Sequence, residues 1–136
     1  MIPGAPVPIP DHDTRSFWEA CHEGKFLIPQ CRSCKTLRWP PGPVCPSCRS
    51  DETEWVSASG RGRVYSWVVA RHPANPTMAD AVPYIVGLIE LDEGVRVVGN
   101  VCECDPADVE PDLAVELFFE EAADGLRLPN FRRAAE

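Results

Sequence analysis

The stretch CRSCKTLRWPPGPVCPSC, residues 31–48, holds four cysteines in two Cys-x-x-Cys pairs. Two cysteines separated by two residues can bind one ion from a single tight turn, and two such turns facing each other complete a tetrahedron. Ten residues separate the pairs, fewer than the roughly fifteen to twenty of many zinc ribbons. A short hairpin can still close the site, so the spacing predicts a metal centre with four ligands: Cys31, Cys34, Cys45 and Cys48.

The total of seven cysteines in 136 residues bears on the choice between metal and disulfides. Seven is an odd number, the N-terminal residues lack the pattern of a signal peptide, and no segment approaches the roughly 18 apolar residues of a membrane span. We therefore expect a cytoplasmic protein, where lasting disulfides are rare. Zinc suits four thiolates, with iron in a rubredoxin-like site as the competing metal. Four protein ligands leave no open position, which predicts a structural ion.

The segments on either side of the cysteines are short. RSFWEACHE, residues 15–23, predicts a helix with Phe17, Trp18 and Cys21 on one apolar face. After residue 55, about five runs rich in β-branched and aromatic residues predict a small closed or nearly closed barrel. The expected fold is mainly β, with an arm, helix and four-cysteine ribbon in residues 1–52 and an all-β module in residues 53–136.

The charge balance limits the function. Acidic residues outnumber basic ones by 21 to 13, which gives a net charge of −8. A general polyanion binder would repel its ligand at that charge, although a local basic patch could receive one phosphate group.

Three segments together carry a resemblance to a known family. FWEACHEGKF (residues 17–26) leads into the ribbon, PYIVGLIELDEGVRVVGNV (residues 83–101) lies in the middle of the β-module, and GLRLPNF (residues 125–131) lies near its end. This order resembles an acyl-CoA-associated family, formerly a domain of unknown function, with an N-terminal rubredoxin-like zinc ribbon and a C-terminal OB-fold. The likeness covers nearly the whole chain and implies that the β-module is a five-stranded OB-fold barrel.

The resemblance also implies a function. Members of the family are accessory subunits that help to build an acyl-CoA site with a larger partner: a thiolase-like enzyme, a sterol-carrier-type aldolase or a MaoC-like hydratase. It implies a role in lipid, steroid side-chain or related acyl-CoA breakdown, and a heterotetramer of two large and two small subunits would be unsurprising. The four ribbon cysteines carry over as zinc ligands, and no catalytic residue carries over. Neither nucleic acid nor membrane is an expected partner.

Two groups of residues are candidates for contacts with such partners. A site for coenzyme A needs cations for its phosphates, and the candidates for this role are Arg61, Arg63, Arg71, His72 and Arg96. Their alternative role is solvated surface charge. A large apolar side chain at a small Pro-rich tip is typical of an interface hot spot, which points to Trp39, and the short helix raises the same question for Phe17 and Trp18. Packing within the chain is the alternative for all three.

Other functions are also compatible with parts of the sequence. Ribbons and OB-folds both occur in nucleic-acid-binding modules, which the charge of −8 opposes. An iron-loaded ribbon would be an electron carrier. A stand-alone enzyme would have to use Cys102 or Cys104, and no paired histidine lies near either in the sequence.

Overall fold

A computed structural model describes residues 5–122 and 125–135, and these contain one α-helix and seven strands. The predicted mainly β fold is confirmed. Helix α1 is Arg15–His22. The strands are β1 Leu27–Cys31, β2 Thr53–Ser57, β3 Arg61–Ala70, β4 Tyr84–Leu91, β5 Arg96–Cys102, β6 Ala114–Glu121 and β7 Arg127–Arg133. None of the helices in the described ranges is long and apolar enough to cross a membrane.

The ribbon is held by a two-stranded antiparallel sheet, in which β1 pairs with β2. Strand β2 begins at residue 53, so the first residues of the expected β-module are hydrogen-bonded to the ribbon. The Arg38 side chain crosses this sheet and is 7% exposed. Its Nη2 donates to the Gly42 carbonyl at 3.1 Å and to the Thr53 hydroxyl at 2.6 Å. Arg38 therefore ties the loop between the cysteine pairs to β2.

The other five strands close into a barrel in the order β3-β4-β5-β7-β6, and the predicted OB-fold is confirmed. Successive side chains of a strand point to opposite faces. In β4 this alternation buries Ile85, Ile89 and Leu91, which join Val64 and Phe131 in the core. The hydrophobic effect on these side chains is the main term that stabilises the barrel.

The turn of the β4–β5 hairpin holds the segment between β2 and β3 through hydrogen bonds. Gly94, at φ +94°, occupies the left-handed region in the turn, as its place in LDEG predicts. Glu93, beside it, accepts hydrogen bonds from the Ser59 backbone N–H at 2.8 Å and from the Ser59 hydroxyl at 3.5 Å. The acidic turn therefore anchors the chain between ribbon and barrel.

Strands β5 and β7 are parallel neighbours, but they pair only at Val101–Phe131 and Cys102–Arg132. A Cβ on Gly99 would lie 2.8 Å from the Phe131 ring, so Gly99 allows that ring to pack against β5. The earlier residues of the two strands have no ladder between them. The barrel wall therefore opens beside α1, which packs against β7.

Gly62, in β3, has no room for a side chain. A Cβ there would lie 2.4 Å from the backbone carbonyl oxygen of Glu90. We expect Gly62→Ala to lower the free energy of unfolding by about 1–3 kcal/mol, because the backbone of β4 must shift to relieve the contact. Urea denaturation measures this loss. Gly42→Ala is the matched control, since nothing lies within 4 Å of its Cβ position, and equal stability of the two variants would contradict the expectation.

Candidate functional site

The four ribbon cysteines form one cluster. The Sγ atoms of Cys31 and Cys48 lie 3.5 Å apart, those of Cys34 and Cys45 lie 3.6 Å apart, and all four lie within 4.8 Å of one another. A tetrahedral zinc ion with Zn–S bonds of about 2.3 Å requires sulfur atoms about 3.8 Å apart. A disulfide requires about 2.05 Å, and all seven cysteines are free thiols. The cluster therefore has the dimensions of a metal site.

Two turns of the same geometry build the cluster. The Lys35 N–H donates to the Cys31 carbonyl at 2.9 Å, and the Arg49 N–H donates to the Cys45 carbonyl at 2.8 Å. Lys35 and Arg49 both have left-handed backbone, with φ of 63° and 65°. This conformation is costly for residues other than glycine, so its occurrence at both equivalent positions shows that the two turns impose it.

The backbone amides of these turns favour thiolate sulfur. They lower the pKa of Cys45 to about 6, chiefly through the N–H of Cys48, and they lower the pKa of Cys31, chiefly through the N–H of Cys34. Metal ligation requires the thiolate form. Four clustered thiols in a zinc ribbon thus support a structural zinc ion, and the four-sulfur shell leaves no open position for water or substrate.

The other three cysteines lie outside the cluster and differ from it in what raises their pKa. Within the cluster the Ser50 N–H lowers the pKa of Cys48, but hydrogen bonds with the Cys31 and Cys34 sulfurs outweigh this effect and raise that pKa to about 12. Burial raises the pKa of Cys21 to about 12, and it also raises the pKa of Cys102 and of Cys104. A nucleophilic cysteine needs a lowered pKa. Within the described part of the chain, no hydrogen bond joins any of the three to a histidine. The arrangement gives no support to a cysteine-based active site.

The predicted coenzyme A cations lie in two places. Arg63 and Arg96 flank Glu90 in the register of β3, β4 and β5. The Arg96 Nε lies 3.1 Å from Glu90 Oε2, and its guanidinium carbon lies 3.8 Å from the centre of the Tyr65 ring. Arg96 is therefore already engaged by a carboxylate and an aromatic ring.

The remaining cations lie at opposite ends of β3. Arg61 begins the strand, whereas Arg71 and His72 follow its last residue. Nine residue steps at about 3.3 Å each separate the two ends by roughly 30 Å along the strand. Arg71 and His72 come directly after Ala70, which pairs with Tyr84. The five predicted cations thus do not form a single cluster.

The three predicted interface aromatics lie together in an aromatic cluster, which we define as Phe17, Trp18, Phe26 and Trp39. The Phe17 ring centre lies 4.9 Å from that of Trp18, 5.7 Å from that of Phe26 and 4.9 Å from that of Trp39, each pair edge to face. Phe17 is 5% exposed, whereas Trp18 and Trp39 are half-buried. Trp39 therefore packs on the helix rather than standing free at the ribbon tip.

The aromatic cluster forms one wall of an apolar pocket of about 460 Å³. The pocket fills the opening between β5 and β7, and the N-terminal arm borders it through Ala5, Pro6 and Pro8. Tyr84 and Val86 of β4 also contribute to the walls. This volume lies in the range of small-molecule sites, which are mostly apolar with a few polar groups.

Two amides supply polar groups in the pocket, Asn100 on β5 and Asn130 on β7. Neither residue was predicted from the sequence to belong to a site. A signal was present, because asparagine is depleted in strands and each stands between apolar neighbours in a strand pattern. That signal could have identified the two asparagines as unusual strand residues. It could not have predicted that both amides line the same pocket.

Comparison with known proteins gives family matches to both parts of the chain. Residues 18–54 match the family described as "ChsH2, rubredoxin-like zinc ribbon domain", and residues 55–120 match "ChsH2, C-terminal OB-fold domain". The solved structure of an "Ltp2-ChsH2(DUF35) aldolase" contains a chain that is 42% identical, with a TM-score of 0.86. The match covers 95% of this chain and 100% of that one.

Several relatives are similar over most of this chain. A "probable enoyl-CoA hydratase alpha subunit" of Thermomonospora curvata is 43% identical over 95% of the chain, which spans only 40% of that protein's length. A "DUF35 domain-containing scaffold protein" of Methanocaldococcus jannaschii is 36% identical over 80% of this chain and 81% of its own. The "benzoylsuccinyl-CoA thiolase subunit BbsA" of Thauera aromatica is 33% identical over 76% and 71%.

Proposed function

This chain belongs to the DUF35/ChsH2 family of proteins that join a rubredoxin-like zinc ribbon to an OB-fold, and from that premise we propose that it is an accessory, acyl-CoA-binding subunit. Its partner is a thiolase-like or aldolase large subunit, with a MaoC-like hydratase as the alternative. The complex works in the cytoplasm on acyl-CoA thioesters from lipid or steroid side-chain breakdown, as a heterotetramer. The relatives that carry hydratase, aldolase and thiolase names support this range of partners.

The observation that carries the proposal is the convergence of three separate segments on the pocket. The segment before the ribbon contributes Phe17 and Trp18, the PYIVG strand contributes Tyr84 and Val86, and the terminal LPNF contributes Asn130. These segments also carry the family resemblance. These residues are far apart in the sequence, and they meet at one apolar pocket that contains two amides. Small-molecule sites have this composition.

In this proposal the apolar part of acyl-CoA enters the pocket and the phosphates lie at its margin. Arg71 and His72 follow the residue that pairs with the pocket residue Tyr84, and Arg96 directly precedes the pocket residue Val97, so candidate cations lie on two sides of the pocket. Arg61, Arg63 and Arg96 lie toward the other end of β3 and would contact phosphate only from that side. Single Arg→Ala variants in the assembled complex separate the two groups by their effect on acyl-CoA affinity.

The proposed contact with the large subunit uses the exposed parts of the aromatic cluster and the outer face of the barrel. Trp18 and Trp39 offer half-buried rings over the buried Phe17. Val68, on β3, is 63% exposed, and Val98, on β5 at the edge of the pocket, is 68% exposed. Such exposed apolar side chains are typical of a surface that a partner covers.

The barrel face also bears on the nucleic-acid alternative. OB-folds bind oligonucleotides across their second and third strands, which are β4 and β5 here. That face holds the apolar pocket, and the chain carries a net charge of −8. Tight, salt-sensitive binding of a single-stranded oligonucleotide would favour the alternative over the accessory role.

The assembly is tested by native mass spectrometry of the tagged protein, purified gently from its own host. We expect a zinc-containing complex with a thiolase-like, aldolase or hydratase subunit. A lone zinc-loaded monomer, with neither partner nor acyl-CoA, would contradict the proposal.

The ligand pocket is tested by filling it. We expect Val86→Trp to weaken binding of butyryl-CoA by about tenfold or more, because the indole occupies space that the acyl chain would fill. Isothermal titration calorimetry measures the affinity. Val44→Trp is the control, because Val44 is 47% exposed on the ribbon and lies outside the pocket walls. An unchanged affinity in Val86→Trp would exclude this pocket as the acyl site.

A further inference from the structure

Asn130 is a buried polar residue in β7. It is 7% exposed, and no hydrogen bond joins its side-chain amide to any described residue. In the described ranges, Arg38 is the only residue with side-chain nitrogen or oxygen atoms that are both inaccessible to solvent and without a hydrogen bond. The amide atoms of Asn130 are not in this class. The unpaired amide of Asn130 therefore reaches open space, and the space that Asn130 borders is the pocket.

Asn100, the other amide at the pocket, provides a contrast. Its Nδ2 donates to the backbone carbonyl of Ile85 at 3.2 Å, so part of its hydrogen-bonding capacity is used within the chain. Among the described residues, none forms a hydrogen bond with either the donor or the acceptor of the Asn130 amide. Its neighbour Phe131 points into the barrel core, and Asn130 points to the opposite side of β7, where helix α1 packs.

The chemistry of the pocket limits what can pair with this amide. Among the described residues that line the pocket there is no aspartate, glutamate, lysine, arginine or histidine. A charged ligand group would lose its hydration there without gaining a counter-ion, which is costly. A neutral group with an acceptor, a donor or both gains a hydrogen bond from Asn130, and a secondary amide matches both of its functions.

We infer that Asn130 is the polar anchor of the pocket, and that it binds an amide or carbonyl group within an otherwise apolar ligand chain. The inference rests on the proposed function in one respect, since acyl-CoA has amides along its aliphatic arm and a thioester carbonyl at its end. It goes further by assigning recognition of such a group to one side chain.

Asn130→Leu tests the assignment, because leucine keeps the branched shape and the number of heavy atoms of the side chain and removes the amide. The probes are butyryl-CoA and N-hexylacetamide, titrated against the full chain by NMR. We expect the affinity for N-hexylacetamide to fall about tenfold, the value of one lost hydrogen bond. We also expect an unchanged or higher melting temperature, since the amide has no hydrogen bond to lose among the described residues.

Asn100→Leu is the matched control and should lower the melting temperature, because it removes the hydrogen bond that the Asn100 amide donates to the Ile85 carbonyl. Weaker binding of both probes by Asn130→Leu, with stability kept, supports the inference and the proposed function. If wild type binds N-hexylacetamide through Asn130 but does not bind butyryl-CoA, the inference stands and the acyl-CoA proposal fails. Equal affinities in wild type and Asn130→Leu, no binding of either probe, or a stability loss like that of Asn100→Leu would overturn the inference.

Discussion

Replacing Cys31 by serine is expected to release the metal and unfold the ribbon, while the barrel strands remain folded. The Cys31 sulfur lies 3.5 Å from that of Cys48 and is fully buried, so its loss opens the centre of the cluster. Structural zinc in such peptides contributes about 10–16 kcal/mol of apparent binding free energy at neutral pH. The two-stranded ribbon sheet is too small to supply that stability from its own core.

Metal content and NMR spectra measure this result together. Wild type should carry one zinc ion per chain and remain colourless, whereas a rubredoxin-type iron protein would be red. Cys31→Ser should carry none, and the amide signals of β1 and β2 should collapse. Cys104→Ser is the control, because Cys104 lies outside the cluster and should leave the zinc in place. A Cys31→Ser protein with bound zinc and an intact ribbon spectrum would refute the structural role of the site.

Phe17→Ala is expected to lower the free energy of unfolding by about 3–5 kcal/mol, the range for removing a buried phenylalanine ring. Its ring makes three edge-to-face contacts, with Trp18, Phe26 and Trp39, all within 5.7 Å between centres. These contacts join the helix to the ribbon and form one wall of the pocket. We therefore expect the same substitution to abolish ligand binding at the pocket as well as to reduce stability.

Urea denaturation followed by tryptophan fluorescence measures the stability, and Trp18→Ala provides the comparison. Trp18 contacts the same ring at 4.9 Å but is only half-buried, so its removal should cost less despite its larger size. If Phe17→Ala is no less stable than Trp18→Ala, Phe17 is not the centre of the aromatic cluster, and the helix must be held by other contacts.

Much of the fold could be predicted because its signals are local. The Cys-x-x-Cys pairs specify two tight turns, and each turn needs only neighbouring residues to aim its amides at sulfur. The alternation of apolar residues in β4 specifies which side chains of that strand face the core. Gly94 in the LDEG turn specifies the hairpin in the same way.

The candidate site was less predictable because it depends on distant contacts. The pocket exists because β5 and β7 pair at two positions and then diverge, and no local pattern encodes where a parallel pair separates. The sequence suggested that Trp39 lies exposed at the tip of the ribbon. The path of the loop between the cysteine pairs instead packs the Trp39 ring against Phe17. The arginines were expected to converge on the phosphates of coenzyme A. The length of β3 separates Arg61 from Arg71.

Residue types at fixed spacings along the chain were enough to predict the four-cysteine cluster, the strand-rich second half and the family. The pocket, by contrast, follows from the folded chain: the arm, the helix, the ribbon tip and three strands enclose it, and the Asn130 amide within it has no hydrogen bond to another described residue. The physical reason is that burial and hydrogen-bond satisfaction belong to a position in space. Whether an amide has a partner is settled by what the fold brings next to it, not by its neighbours in the chain.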